Sequence, residues 1–458
     1  MTIPDVDVVI VGGGPAGITA AMSLQGRDFV LLEATDRLGG RLKSMPRGDY
    51  WLNVGGHLFP GEGSHIQQML QALGLKTIEI PGIKTAMTFG GKVYAKKRVE
   101  AYPLTLPMSL AERLAMIRTG LSLQGVVRGW HKQMNARPGE SEADRRARVA
   151  MYLSDQTFRQ VVGNPPQRID GIFKSAARRA ASEIDVQSAG VGVALFGAVW
   201  SGGKSKMALN LFGGSGMLGE AARETLGERA LLYTEVHKVS PEGDRVIVEC
   251  VRDGVAETIS ARHVIVAVPA PVASRIVNGL PADVMRTMAD VTYGPFLTMA
   301  ILTNEQGPMP YDEIYAMTTP DESFDMFFNH ANPLRAPGLR QPGGSLMVYS
   351  GGEPAKALMQ LSDEQIAQTY LDDLYRIFPA VKGHVAETVV QRWELGNIYR
   401  KPGFDFTPML RYAARPDTVV HFCGDWFAEL GNMEVSAGSA LEAVAHVSAS
   451  LDGSPEGP

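Results

Sequence analysis

Asp7-Val8-Val9-Ile10-Val11-Gly12-Gly13-Gly14-Pro15-Ala16-Gly17 stands near the start of the chain, and Val30-Leu31-Leu32-Glu33 follows shortly after. A short apolar run leads into Gly-x-Gly-x-x-Gly, a helical stretch comes next, and a second apolar run ends in an acid. That order predicts a βαβ unit binding a dinucleotide. Gly12 permits the tight turn, Gly14 lets backbone approach a pyrophosphate, and Gly17 allows close packing of helix on strand. Pro15 and Ala16 open the helix, whose N-terminal N–H groups face the phosphates. Glu33, with Ala34 beside it, is placed to accept hydrogen bonds from ribose hydroxyls. An acid there argues against a 2′-phosphate, and so against NADP.

The next residues select the dinucleotide. Asp36-Arg37-Leu38-Gly39-Gly40-Arg41 follows at once, and Asn53-Val54-Gly55-Gly56-His57-Leu58-Phe59 comes soon after. Gly39 and Gly40 give a bare backbone segment, and Arg41 puts a cation at its end, suited to a pyrophosphate held by the first helix. Gly55, Gly56 and His57 form the second wrap. NAD sites rarely need these; a larger, permanently held FAD does. The motifs resemble the flavin amine oxidase superfamily, which includes monoamine oxidases, protoporphyrinogen oxidases and carotenoid-type desaturases.

With 458 residues the chain can build two domains with substantial cores. Its 45% hydrophobic and 20% charged residues describe an ordinary globular protein, not a disordered one. A net charge of −5 offers no basic field, which argues against a nucleic-acid partner. Cys250 and Cys423 read as core thiols, as in a reducing compartment. The first strand begins almost at Met1, with no leader pattern before it, and no apolar run approaches the roughly 18–20 residues of a spanning helix. The expectation is a cytoplasmic protein.

The resemblance implies an α/β fold: a discontinuous, Rossmann-like FAD-binding domain of glutathione-reductase type, with an α+β substrate-binding domain formed by two insertions. The expected divisions are 1–84, 207–289 and 412–451 for FAD, 85–206 and 290–411 for substrate, and a flexible tail over 452–458. In the family the strand near residue 236 lies beside the adenine, so Val236 is expected as a backbone contact. The last return, Cys423-Gly424-Asp425-Trp426 and then Met433-Glu434-Val435-Ser436, places Gly424 and Asp425 at the ribityl chain or phosphate. It also starts a helix near Val435 whose N-terminus faces the flavin pyrimidine edge and stabilises negative charge on reduction. Apolar residues at helical spacing (Leu110, Leu114, Ile117, Leu121, Val126, Trp130) are expected on the core-facing side of a lid helix. Docking of this region on a membrane surface is the alternative.

Residues expected at the chemistry also come from the resemblance. Thr298 aligns with a lysine whose water bridges to flavin N5 in many family oxidases. A neutral hydroxyl there implies slow reaction with O₂, leaving O₂, a quinone or a cytochrome as electron acceptor. The amine oxidases hold the amine between two aromatic rings. Asn432 stands at one ring position, and Tyr399 and Trp393 are candidates for the other. Covalent-flavin members carry a cysteine where Trp393-Glu394-Leu395-Gly396-Asn397-Ile398-Tyr399-Arg400 has none, so noncovalent FAD is expected. His57 is expected near the flavin or the substrate. No metal-ligand cluster is seen. The reading is an FAD-dependent oxidoreductase taking a hydride from a C–N or C–C bond of a small or medium-sized, largely apolar molecule. A flavin-dependent isomerase or mutase, a carotenoid- or porphyrinogen-type desaturase, and a non-catalytic binder of lipidated proteins are the alternatives. A homodimer is left open.

Overall fold

The computed structural model describes residues 5–140, 142–200, 207–335 and 340–453. One seven-stranded sheet runs Ala230–Leu231, Phe29–Leu32, Val6–Val11, Val255–Val266, Arg245–Arg252, Thr234–Glu242, with Val420–Phe422 beside the end of Val255–Val266. Val9 pairs in parallel with Val30 on one side and Val264 on the other, and Val264 pairs with Val420. Residues 8–11, 29–32 and 264–266 are unbroken apolar runs because helices cover both faces of this parallel part of the sheet. On one face lie helices Pro15–Ser23 and Met433–Leu451, with Ile18, Ala437, Ala440 and Val444 in a common core. Small residues let these two helices approach closely. Ala270–Ile276, Ala282–Asp290 and Thr407–Ala413 cover the other face.

A second seven-stranded sheet has the order Val385–Tyr399, Thr292–Thr303, Gly344–Gly351, Met326–Asn329, Ala316–Thr318, Ala86–Phe89, Lys92–Tyr94. Gly90 and Gly91, at φ +57° and +72°, make the tight turn between its last two strands. Helix Asp363–Ile377 packs into its core through Ile366, Tyr370 and Leu374. Helices Leu110–Met134, Phe158–Val162, Gln167–Arg178 and Ala189–Trp200 form a separate layer. The final helix ends at Leu451, and Asp452 pairs with Arg27 at 2.5 Å. Residues 454–458, most of the expected tail, lie outside the described residues.

The helix Leu110–Met134 corrects one expectation. Its buried residues are Thr119, Leu123 and Val127, whereas Leu110, Leu114 and Leu121 are 72%, 58% and 64% exposed. The apolar spacing therefore marks an outward face, not the core-facing one. Among the described residues no helix is long and apolar enough to cross a membrane.

Candidate active site

Three glycine-bearing segments meet beside the N-terminus of helix Pro15–Ser23. Gly12 has φ +103°, and a Cβ on Gly17 would sit 1.8 Å from the Gly12 carbonyl oxygen, so neither position accepts a side chain. A Cβ on Gly55 would sit 2.0 Å from the Arg41 carbonyl oxygen, and Gly56 N–H donates to that same oxygen at 3.0 Å. Gly40, at φ +52°, packs toward the Gly14 Cα. Gly14 itself is different: nothing lies within 4 Å of the Cβ it would carry. It caps the helix with no side-chain hydrogen bond, and Pro15 follows at the first helical position. The open approach and helix N–H groups fit a pyrophosphate. Ala16 and Gly17 are buried in this first turn, and Ala34 is exposed just past Glu33. Glu33 takes the Gly13 N–H at 2.7 Å and the Thr35 N–H and hydroxyl at 2.9 and 2.7 Å. It thus organises the loop on which a ribose would lie.

Arg41 is half-buried and tied into a polar knot. It meets Asp425 at 2.9 Å, Tyr293 donates its hydroxyl to the same carboxylate oxygen at 2.8 Å, and the guanidinium lies 5.4 Å over the Tyr293 ring. Burial works against the charge on Arg41, but Asp425 and Tyr293 outweigh it and hold its pKa above the ordinary value. Arg41 also donates to the Leu395 and Gly396 carbonyls at 3.4 and 3.1 Å. Those carbonyls face it because residues 394–396 oppose the single residue Pro295 between the pairs Gly294–Asn397 and Phe296–Trp393. This bulge re-aims backbone groups, and proline, having no N–H, suits the position opposite.

Asn432 caps helix Met433–Leu451, accepting the Val435 N–H at 3.0 Å on its side chain and the Ser436 hydroxyl at 3.1 Å on its carbonyl. The helix therefore begins at Met433, two residues before the expected start. The N–H groups of Met433 and Glu434 have no partner among the described residues. Glu434 accepts the His65 and Ile66 N–H groups at 2.9 and 3.0 Å, and so caps helix His65–Ala72 with its side chain. Gly424, at φ +146°, exchanges hydrogen bonds with the Ser439 hydroxyl at 3.0 and 3.2 Å. Val236 sits at a bulge in its strand, with its side chain buried.

The other expected residues separate. Thr298 and the Trp393 indole both donate to the Val54 carbonyl, at 2.8 and 2.7 Å, immediately before Gly55-Gly56. Tyr399 packs with Leu430 and Leu195. His57 is buried against Phe328 and His330, with ring centroids 4.5 and 4.6 Å away, and burial pulls its pKa down to about 4. Neighbouring Leu58, and not His57, lines the large cavity of about 1600 Å³ in this region.

That cavity runs from the rim residues Leu104 and Leu121 inward to Asn397, Gly431 and Asn432. Tyr315, Met326, Phe328 and Tyr349 line the wall supplied by the second sheet. The glycine pair adjoins its inner end: a Cβ on Gly56 would lie 3.9 Å from the Met433 terminal methyl.

A family model for flavin-containing amine oxidoreductases matches residues 15–448. The chain belongs to that family. Its cofactor is FAD, and the cradle at Gly14 and the helix start at Met433 fit that group. Both cysteines are buried and absent from residues 393–400, in keeping with an FAD held without a covalent bond. Among relatives, flavin-containing amine oxidase B of Rattus norvegicus is 26% identical over 297 residues, 61% of this chain and 53% of that protein. Putrescine oxidase of Kocuria rosea is 40% identical over 75 residues, 16% of each chain. The matched region thus spans about half the length of the amine oxidase B chain. Putrescine oxidase bound to putrescine superposes with a TM-score of 0.73 at 20% identity, covering 98% of this chain and 99% of that one. Cyclohexylamine oxidase from Brevibacterium oxydans IH-35A gives 0.78 at 18% identity, covering 98% and 100%. These two show a shared fold.

Sequence reasoning on this flavin-containing amine oxidoreductase missed three side chains. Tyr293 completes the Arg41–Asp425 knot. Asn397 occupies the cavity wall for which Tyr399 and Trp393 were candidates. Lys43 donates to Gln391 at 2.8 Å, and Gln391 is the cross-strand partner of Thr298. None is adjacent in sequence to its partner, so no local pattern marks it.

Proposed function

We propose that the protein oxidises the C–N bond of a small or medium-sized, largely apolar amine. The observation that carries this reading is the cavity whose inner end, Asn397-Gly431-Asn432, opens beside Gly56 and the start of helix Met433–Leu451. FAD, when bound, supplies a two-electron hydride acceptor. The protein's own residues then bind, orient and exclude water. The wall of Tyr315, Phe328 and Tyr349 takes an apolar body, and the side-chain amides of Asn397 and Asn432 flank the reacting end. The substrate carbon loses hydride, its nitrogen lone pair forms the C=N bond, and water hydrolyses the resulting imine to a carbonyl compound and an amine or ammonia. With the amine entering neutral, no strong base is required, in keeping with a neutral His57 outside the cavity lining.

Thr298 and Trp393 act in this proposal as positioning residues, since both pin the Val54 carbonyl ahead of the glycine pair. The N-terminus of helix Met433–Leu451 would favour negative charge on FAD held beside it, by about 0.3–1 kcal/mol, more when buried. The electron acceptor is O₂, a quinone or a cytochrome. The hydroxyl of Thr298 is neutral and engaged, which supports a slow reaction with O₂. The test is anaerobic: purified yellow protein is mixed with a panel of aryl and alkyl amines and followed at the flavin band. Bleaching by an amine is expected. A flavin that stays oxidised while a substrate double bond moves would instead establish an isomerase.

A further inference from the structure

Arg178 and Arg179 close the helix Gln167–Arg178, and their surroundings differ sharply. Arg178 is neutralised twice, by Glu183 at 2.9 Å and Asp325 at 3.4 Å. Arg179 turns to the cavity and meets no acid within ion-pair distance among the described residues. The Tyr349 hydroxyl lies near it on the same cavity wall, within its electrostatic reach. The rest of that wall is Tyr315, Met326 and Phe328. The carboxyl end of the helix offsets such a charge only in small part. Arg179 is half-buried and is placed to meet an anion entering the cavity.

Acids in the cavity are differently placed. Glu429 is held by Arg400 at 3.3 Å, Glu442 by Arg146, and Glu434 by two backbone N–H groups. Glu100, the fourth acid of the lining, is engaged as well, so none of the four offers a second ammonium its partner. Arg179 lines the same cavity as Asn397 and Asn432. Its neighbour Ala180 packs in one cluster with Leu195, Tyr399 and Leu430, and Leu430 stands two residues before Asn432.

We propose that the substrate is an amine that also carries a carboxylate, an amino acid or a close relative, with Arg179 and the Tyr349 hydroxyl holding that carboxylate. The guanidinium fork gives two parallel charge-assisted hydrogen bonds, and the tyrosine hydroxyl donates a third. The apolar part of the substrate lies along Phe328, Met326 and Tyr315, and the carbon bearing nitrogen points toward Asn397 and Asn432. This proposal rests on the amine-oxidising reading for its orientation. Its test does not, because it measures binding alone.

Calorimetric titration of the FAD-loaded protein with phenylacetate and with neutral phenylacetamide separates charge from shape. Wild-type protein should bind the carboxylate at least about tenfold more tightly than the amide, the size expected of a hydrogen bond to a charged group. Arg179→Met should bring that ratio to within about twofold with little change in melting temperature, and Arg179→Lys should restore part of it. Tyr349→Phe should lower it by a few-fold. A wild-type ratio near one, no binding of the carboxylate, or an unchanged ratio in Arg179→Met would overturn the proposal. Failure of every amine to bleach the flavin, with the carboxylate preference intact, would instead count against the amine-oxidising reading alone.

Discussion

The glycine crossing at residues 12–17, 39–41 and 55–56 and the cavity bounded by Arg179, Asn397 and Asn432 are built on opposite principles. In the crossing the functional surface is backbone, and side chains are excluded by contact. Gly17 and Gly55 leave about 2 Å for a Cβ where a carbonyl oxygen already stands. In the cavity the surface is side chains contributed by distant segments of chain. The first kind of site admits no side chain at Gly17 or Gly55 and varies little in what it can hold. The second can be refilled residue by residue without touching the fold.

Substituting glycines in the crossing gives the largest expected effects and the sharpest way to break this contrast. Gly17→Val forces a side chain into the Gly12 carbonyl and should unfold the βαβ unit, giving little soluble protein. Gly14→Val meets no protein atom, so it should fold with a melting temperature within a few degrees of wild type, yet bind no FAD. Absorbance of the flavin after gel filtration separates the two. A Gly14→Val protein with full FAD content would remove Gly14 from the cofactor path.

Next in size is the knot joining the two regions. Asp425→Asn leaves the half-buried Arg41 without its counter-charge, at a cost of about 1.5–3 kcal/mol. Denaturant unfolding should show that loss, and a change below about 1 kcal/mol would mean the Leu395 and Gly396 carbonyls suffice for Arg41.

Acid sensitivity comes third. His57, His330 and His421 are buried, and burial pulls their pKa values down, to about 4 for His57 and about 3 for His421. The unfolded chain, with histidines near 6.5, binds protons before the native state does. Stability is therefore whole above about pH 6.5 and falls as pH drops from there toward 4, by up to about 1.4 kcal/mol per pH unit per histidine. His57→Leu should flatten part of that slope. An identical slope in the variant would place the sensitivity at the other two histidines.

The smallest effect tests the edge of the crossing. Glu33→Gln should weaken FAD retention by about 1–3 kcal/mol while leaving the visible spectrum of bound flavin unchanged. A shifted spectrum at equal affinity would put Glu33 beside the flavin ring instead of the ribose.

Legibility in the sequence follows the same division. The βαβ unit could be read because each of its requirements is local: positive φ at Gly12, no Cβ at Gly17, an acid at the end of the next strand. The interrupted sheet was readable for the same reason, since each returning strand is a short apolar run with its own signature. The lid helix was misread because periodicity reports that an apolar face exists, not which way it turns. Leu123 and Val127 took the inner position, and Leu110, Leu114 and Leu121 were left outside. Trp393 and Tyr399 were candidates from a short family resemblance, which has no local pattern behind it; packing turns Trp393 to the Val54 carbonyl and Tyr399 to Leu430, and neither lines the cavity.

By itself the sequence determined the dinucleotide-binding unit, its cofactor class and the two-part α/β architecture. Steric limits on backbone and strand hydrophobicity act within a few residues and leave their mark in residue types. Tertiary structure alone decided that Arg41 meets Asp425 and Tyr293, that Thr298 and Trp393 share one carbonyl, and that Arg179 faces the cavity while Arg178 is neutralised. Those outcomes depend on which segments, hundreds of residues apart in some cases, arrive at the same point with their polar groups unsatisfied. Burial makes such groups costly unless they are paired, and only the packed chain determines which pairs form.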